Sequence, residues 1–210
     1  MSYAVKEIFK TLQGEGAQVG RVAVFCRFSG CNLWSGREAD REAAVCRFCD
    51  TEFVGVNGLG GGRFDSPDEL AEALEATWQG DYARRFVVFT GGEPLLQLDD
   101  DLLQAVKERG FECAVETNGT QPVPKGLDWI CVSPKAGASL VVVRGSELKL
   151  VYPQSNLDPE SLEALEFEHW WLQPMDGSNR QANTDAAIAY CLAHPRWRLS
   201  LQTHKLLGIP

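Results

Sequence analysis

Residues 85–110 read RFVVFTGGEPLLQLDDDLLQAVKERG, and this stretch decides the fold. The run Arg85 to Thr90 is apolar and rich in β-branched and aromatic residues, which predicts a buried strand. It stops at Gly91-Gly92-Glu93-Pro94. The segment LDDDLLQAVKERG then reads as a helix closed by Gly110. A strand that ends in a glycine turn and feeds a helix is a βα unit, and such units stack into a parallel sheet. Upstream, VAVFCRF (Val22 to Phe28) is a second near-continuous apolar strand. A loop follows it from Ser29 to about Arg63, and a loop that long inside a compact domain is usually functional.

A helix opens at SPDEL, with Ser66 as N-cap, Pro67 at the first helical position and Glu69 completing a capping box. It runs to about Trp78. Downstream, ECAVET, DWICVS, ELKLVY and HWWLQP read as strands, the last two ended by Pro153 and Pro174. ANTDAAIAYCLAH reads as a helix with Thr184 as its cap, and RWRLSLQT as a last strand. The special residues follow the strands, at the ends where open α/β sheets and barrels build their sites. About three helices for some seven strands cannot make a complete eight-fold barrel. The expected fold is α/β, an incomplete TIM-type β/α barrel with reduced helix content, in a single domain over residues 1–210.

The 210 residues are 44% hydrophobic and 23% charged, the composition of a soluble globular protein. A formal charge of -9 argues against broad affinity for nucleic acid, which relies on clustered Lys and Arg. No apolar run approaches the ~20 residues of a membrane span. The N-terminus has no signal-peptide core, so a cytoplasmic location is expected. Seven cysteines is an odd count, unlike a secreted disulfide framework. Cys26, Cys113, Cys131 and Cys191 each sit in an apolar segment and read as packing residues.

The other three, Cys31, Cys46 and Cys49, are spaced C-x14-C-x2-C in the long loop. On spacing alone they leave open a thioredoxin-like redox pair, a zinc site completed by His or Asp, or an iron–sulfur cluster. A [4Fe–4S] cluster held by three thiolates keeps one iron open to an outside ligand. In GGEP, paired glycines let backbone approach a ligand closely, and Glu93 can receive an ammonium group.

Together these features resemble the radical S-adenosylmethionine superfamily: a three-cysteine loop after one strand, an aromatic residue before the last cysteine, and GGEP after the next strand. The usual superfamily spacing is C-x3-C-x2-C, and this chain has eleven more residues between the first two cysteines. That departure suits one subgroup. LQGEG (12–16), RFSGCNLW (27–34), CRFCDTEF (46–53), TGGEPLLQ (90–97), ETNGT (116–120), SPK (133–135), QPM (173–175) and the terminal QTHKLLGIP are similar to the motifs of the 7-carboxy-7-deazaguanine synthase family.

The resemblance implies that Cys31, Cys46 and Cys49 hold a [4Fe–4S] cluster and that S-adenosylmethionine binds its open iron. The cofactor would be cleaved to a 5′-deoxyadenosyl radical and later regenerated. Its contacts would be Phe48, Cys49 and Asp50; Gly92 and Glu93; Ser133, Pro134 and Lys135; and Gln173, Pro174, Met175 and Asp176. The implied substrate is 6-carboxy-5,6,7,8-tetrahydropterin. It would lose hydrogen at C6, contract its ring and release ammonia, on the route to 7-deazapurines such as queuosine. Leu12, Gln13, Gly14, Glu15, Thr90, Glu116 and Asn118 would recognise the ring, Arg27 its carboxylate, with His204 and the terminal carboxylate of Pro210 in reach. Mg²⁺ would sit at Thr51. A flavodoxin or ferredoxin would supply electrons, and a homodimer is implied. The alternatives are a glycyl-radical activating enzyme, which would keep C-x3-C-x2-C, and a non-enzymatic zinc-binding module.

Overall fold

The computed structural model describes residues 2–210. Nine strands form a single sheet: β1 (Tyr3–Leu12), β2 (Val22–Phe28), β3 (Gly62–Phe64), β4 (Phe86–Gly91), β5 (Glu112–Thr117), β6 (Trp129–Val132), β7 (Arg144–Tyr152), β8 (Glu166–Pro174) and β9 (Arg198–Leu199). Their order is β3-β1-β2-β4-β5-β6-β7-β8-β9. From β2 to β9 every neighbouring pair is parallel, while β1 is antiparallel to β2 and to β3. β3 and β9 remain as separate edges, so the barrel is open, as expected for an incomplete one.

Three crossovers carry a full helix: α1 (Pro67–Trp78) before β4, α2 (Asp100–Glu108) before β5, and α3 (Arg180–Ala193) before β9. The β5–β6 and β6–β7 connections have no helix, and β7–β8 has a single 3₁₀ turn at Pro159–Leu162. Ser66 Oγ accepts from Glu69 N at 3.2 Å, the expected cap of α1. The Glu69 carboxylate reaches Asp65 N, one residue before the cap. Asp99 caps α2 by accepting from Leu102 N at 2.9 Å, and Gly110 takes the left-handed conformation that ends it. No helix among the described residues is long and apolar enough to cross a membrane.

Four elements differ from the sequence reading. β1 was not expected, because its alternation is broken: the register slips between Val5 and Glu7, and Lys6 is buried. Lys6 Nζ is satisfied by Glu52, Val54 O and Asn57. β3 lies within the segment read as loop, where three residues pair with Tyr3, Ala4 and Val5. Thr184 is not a cap: α3 begins four residues earlier, and Thr184 Oγ1 donates to Arg180 O. The final expected strand shrinks to Arg198–Leu199, and Thr203–Leu207 forms a short helix, α4.

The period-two alternation of the strands sorts the sheet into two faces. Val24, Cys26, Phe28, Val87, Phe89, Cys113 and Val115 pack outward on Leu70, Leu74, Leu102, Leu103 and Val106 of α1 and α2. Leu148, Leu150, Trp170 and Leu172 pack near Ala187 and Trp197 in a second cluster, with Cys191 half-buried beside them. Facing inward are Ala23, Phe86, Val88 and Ala114, a small core that plugs one end of the barrel. At the C-terminal end, inward positions pass to Arg27, Thr90, Glu116, Lys149 and Gln173, all of which line one cavity.

Candidate active site

This cavity, of about 410 Å³, opens at the C-terminal ends of the strands. The three cysteines of the long loop lie along it, although they come from two turns separated by the insertion. Cys31 follows β2 directly; Val45 and Cys46 are brought to it by their backbone N–H groups donating to Leu33 O. The inserted residues dock back on the loop they interrupt. Arg41, from a 3₁₀ segment at Glu38–Ala43, lies over the Trp34 ring at 4.0 Å and donates to the carbonyls of Arg47 and Cys49.

Cys49 is the most acidic of the three thiols. A hydrogen bond from Cys46 pulls it down to about 6, against the upward push of burial. That same bond, then burial, raises Cys46, while burial raises Cys31. All three are free thiols. Among the described residues no three His, Cys, Asp or Glu side chains converge as a single metal ion requires. Three thiols lining one cavity fit an iron–sulfur cluster, which cysteine thiolates would hold.

The GGEP turn is built against the first cysteine. Gly91 has φ +140°, and a side chain there would strike the Phe28 backbone. A Cβ on Gly92 would run into Gly30 O and the Cys31 side chain, so only glycine lets the two turns meet. Glu93 N donates to Gly30 O at 2.9 Å. The Glu93 side chain faces away from the cavity. It is fully buried and accepts from Leu95 N at 3.0 Å, Thr117 Oγ1 at 2.7 Å and Asn118 N at 2.8 Å. Its carboxylate therefore joins the GGEP turn to the end of β5, and burial raises its pKa despite the three donors. Pro134 also stands outside the lining; its carbonyl accepts from Gln154.

All the other expected site residues border the cavity. Lys135 is half-buried, donates to Ser133 O and Oγ, and stands 5.9 Å from the Phe48 ring. Burial lowers its pKa, and the nearby Cys46 and Cys49 sulfurs oppose this. Arg27 pairs through Nε with Glu7 at 2.7 Å, a partner the sequence reading did not anticipate. The terminal segment closes one side: Thr203 N and Oγ1 both donate to Gly14 O, and the His204 ring packs against Gly14. Lys205 joins Asp50 and Asp176 at 2.6 Å each.

The largest omission from the sequence reading is Lys149. Its ammonium is buried between Glu15 Oε2 and Glu116 Oε2, at 2.5 and 2.9 Å. Gln13 donates to the other oxygen of Glu116, and Gln202 to the other oxygen of Glu15. Burial alone would lower the Lys149 pKa, but Glu116 and Glu15 hold it well above the usual lysine value. Burial likewise works against ionised Glu15, and Lys149 overrides it, lowering the Glu15 pKa. The signal was present in ELKLVY, where Glu147 and Lys149 share one face of a strand whose other face is leucine.

A sequence profile described as the Radical SAM superfamily matches residues 42–143, a stretch that takes in Cys46, Cys49, GGEP, ETNG and SPK but starts beyond Cys31. The 7-carboxy-7-deazaguanine synthase of Bordetella pertussis is 65% identical over 210 residues, and that of Caulobacter vibrioides 63%, each comparison covering the whole of both chains. The crystal structure of QueE from Escherichia coli superposes with a TM-score of 0.71 at 27% identity, covering 96% of this chain and 94% of that one. Relatives of this extent leave no room for the zinc module or the glycyl-radical activating enzyme. With three thiols lining its cavity, its GGEP turn and full-length relatives of this kind, the chain belongs to the 7-carboxy-7-deazaguanine synthase family of radical S-adenosylmethionine enzymes.

Proposed function

We propose that the cavity holds S-adenosylmethionine and 6-carboxy-5,6,7,8-tetrahydropterin together and that the chain converts the pterin to 7-carboxy-7-deazaguanine with release of ammonia. One observation carries this reading: three thiols and an array of acids and amides line a single cavity. When bound, the [4Fe–4S] cluster and S-adenosylmethionine supply the radical that takes hydrogen from C6. The protein supplies placement and the exclusion of water.

The thiols of Cys31, Cys46 and Cys49 ligate the cluster. Phe48, Asp50, Gly92, Ser133, Lys135, Gln173, Pro174, Met175 and Asp176 border the cofactor, and Glu93 and Pro134 act through the backbone turns they brace. Elsewhere in the lining, Glu116 and Glu15, oriented by Gln13 and Gln202, offer acceptors to the N–H donors of the pterin's pyrimidine edge. Leu12, Gly14, Thr90, Asn118 and His204 complete this wall. Arg27, whose Nη atoms remain free of protein acceptors among the described residues, pairs with the substrate carboxylate. The carboxylate of Pro210 closes the ring's far side. Thr51 would hold Mg²⁺, an ion that suits oxygen ligands and needs few of them from the protein. Lys6, by fixing Glu52, Val54 and Asn57, holds the loop that presents Thr51.

The reading extends to a single domain over 1–210, supported by one continuous sheet. It includes a flavodoxin or ferredoxin as electron donor and a cytoplasmic location suited to thiolate ligands. It also includes a homodimer, for which exposed Ile188, Leu192, Leu206 and Leu207 offer apolar surface. The test is anaerobic turnover by untagged, cluster-reconstituted protein with S-adenosylmethionine, a reductant and Mg²⁺, read by mass spectrometry. Formation of 7-carboxy-7-deazaguanine and ammonia is expected. Cluster-loaded protein that leaves the pterin unchanged would overturn the proposal.

A further inference from the structure

The geometry points to Lys149 as the positioning residue for substrate recognition: clamped between Glu15 and Glu116, it keeps both carboxylates as acceptors and so selects ring edges that present adjacent N–H donors. A 2-aminopyrimidinone edge is such an edge; a ring carrying a carbonyl in place of the amino group is not. The inference rests on the reading of the cavity as a pterin site.

The two acids come from distant parts of the fold, Glu15 from the turn after β1 and Glu116 from the end of β5. Both direct Oε2 at the same ammonium, while Oε1 of each is taken by a glutamine amide. A carboxylate oxygen has two acceptor positions, so each acid keeps acceptor capacity for a ligand. Without Lys149 two half-buried carboxylates would face a common space with no cation between them. Such pairs share a proton, because like charges at close range cannot both stay ionised out of water. A protonated acid turns a donor toward the ligand's donors, and recognition is lost.

The surroundings do not supply a substitute cation. Glu147, two residues before Lys149 on β7, is occupied by Ala17 N and Trp129 Nε1. Cys131 on β6 is buried, with its thiol pKa raised well above normal by burial. His169 on β8 stacks on Trp129. His204 on α4 acts on Glu15 only after Lys149 and Gln202, and Lys135 lies against Ser133. Of the charged groups on β5, β6, β7, β8 and α4 that face the two acids, Lys149 alone bonds both.

Cluster-loaded wild type, Lys149→Met, Lys149→Arg and the double variant Lys149→Met/Glu15→Gln separate the possibilities. Each is titrated anaerobically, without reductant, with 6-carboxy-5,6,7,8-tetrahydropterin and its 2-oxo (lumazine) counterpart from pH 6 to 9. Wild type is expected to prefer the pterin with a Kd that is flat in pH. Lys149→Met is expected to bind it at least about tenfold more weakly at pH 6, recover as pH rises, and release a proton on binding. Lys149→Arg restores the flat profile, and so does the double variant, which removes one acid along with the cation. In ligand-free protein, infrared spectra show a protonated buried carboxyl at neutral pH in Lys149→Met and not in wild type. A Lys149→Met protein with its cluster, a flat profile and no carboxylic-acid band would overturn the inference. If wild type fails to bind the pterin, the substrate reading falls, and the infrared comparison still decides the clamp.

Discussion

Thr203 donates both its backbone N–H, at 3.0 Å, and its hydroxyl, at 2.9 Å, to the carbonyl oxygen of Gly14. The two residues lie 189 positions apart. This double bond of contacts ties the end of the chain to the turn that carries Glu15, and brings Pro210 to the cavity wall. A residue added after Pro210 moves the terminal carboxylate away from that wall. A C-terminal extension is therefore expected to raise KM for the pterin by an order of magnitude or more, while cluster content stays at the untagged level. Steady-state kinetics of tagged and protease-trimmed protein check this; equal KM values would show that the terminus has no part in binding.

Lys205 makes a second closure. It bridges Asp50 and Asp176, one from each of two segments assigned to the cofactor. The pairs are partly exposed, and exposed pairs contribute roughly 0.2–1 kcal/mol each and weaken with salt. Lys205→Ala is expected to raise KM for S-adenosylmethionine about two- to fivefold with little change in kcat. Raising the salt concentration should have a similar effect on wild type and almost none on the variant. A KM equally salt-sensitive in both proteins would remove the bridge from the account.

Gly92 is the position where the smallest change should have the largest effect. A single methyl group there meets Gly30 O and the Cys31 side chain. The turn cannot yield easily, because Glu93 anchors it with three hydrogen bonds to its carboxylate. Gly92→Ala should displace Cys31, costing about 1–3 kcal/mol by analogy with overpacking of a tight site. Iron and sulfide analysis after reconstitution is expected to show a markedly lower cluster content. Full occupancy and normal melting would contradict this.

The Glu15–Lys149 pair also sets an acid limit on stability. The folded-state pKa of Glu15 is lowered, so its contribution is present above the ordinary carboxylate value of 4.5 and is lost as pH falls through the folded value. The Lys149 pKa is raised, so its contribution is present at and below 10.5 and is lost only well above that. Between these limits the pair's contribution is constant. Melting temperature should therefore be level near neutrality and fall below about pH 4.5, apart from the contributions of other carboxylates. Lys149→Met leaves two half-buried acids without their cation; breaking a fully buried pair typically costs about 3–5 kcal/mol, and the solvent contact these acids keep reduces the cost here. Its melting temperature near neutrality should be lower than wild type and should rise on mild acidification, the opposite slope. Parallel pH profiles would show that the triad is not coupled to folding.

Much of the barrel was legible because its parallel strands are buried on both faces and read as short apolar runs. RFVVFT, ECAVET and ELKLVY fell where expected for that reason. β1 was illegible because Lys6 is buried only by virtue of partners more than forty residues away, and a register slip removes its period. The cysteine loop, GGEP and the terminal motif were legible as motifs, since short-range spacing carries them. The partners of Lys149 and Arg27 were not, because a charge within a strand gives no sign of which carboxylate it will meet across the sheet. Glu93 reads as facing a ligand, and its carboxylate instead accepts from Leu95 N, from the Thr117 hydroxyl of β5 and from Asn118 N just after that strand, a direction fixed largely by tertiary contact.

The central claim is that this cavity presents C6 of the pterin to the bound cofactor, and a label at that carbon tests it most directly. Cluster-loaded protein would be given 6-carboxy-5,6,7,8-tetrahydropterin deuterated at C6, with S-adenosylmethionine, reductant and Mg²⁺ under anaerobic conditions. Mass spectrometry would follow both the product and the recovered cofactor. The account predicts 7-carboxy-7-deazaguanine together with deuterium at the 5′ carbon of S-adenosylmethionine. Product formed while the recovered S-adenosylmethionine stays unlabelled, or deuterium transferred only from another ring position, would contradict it.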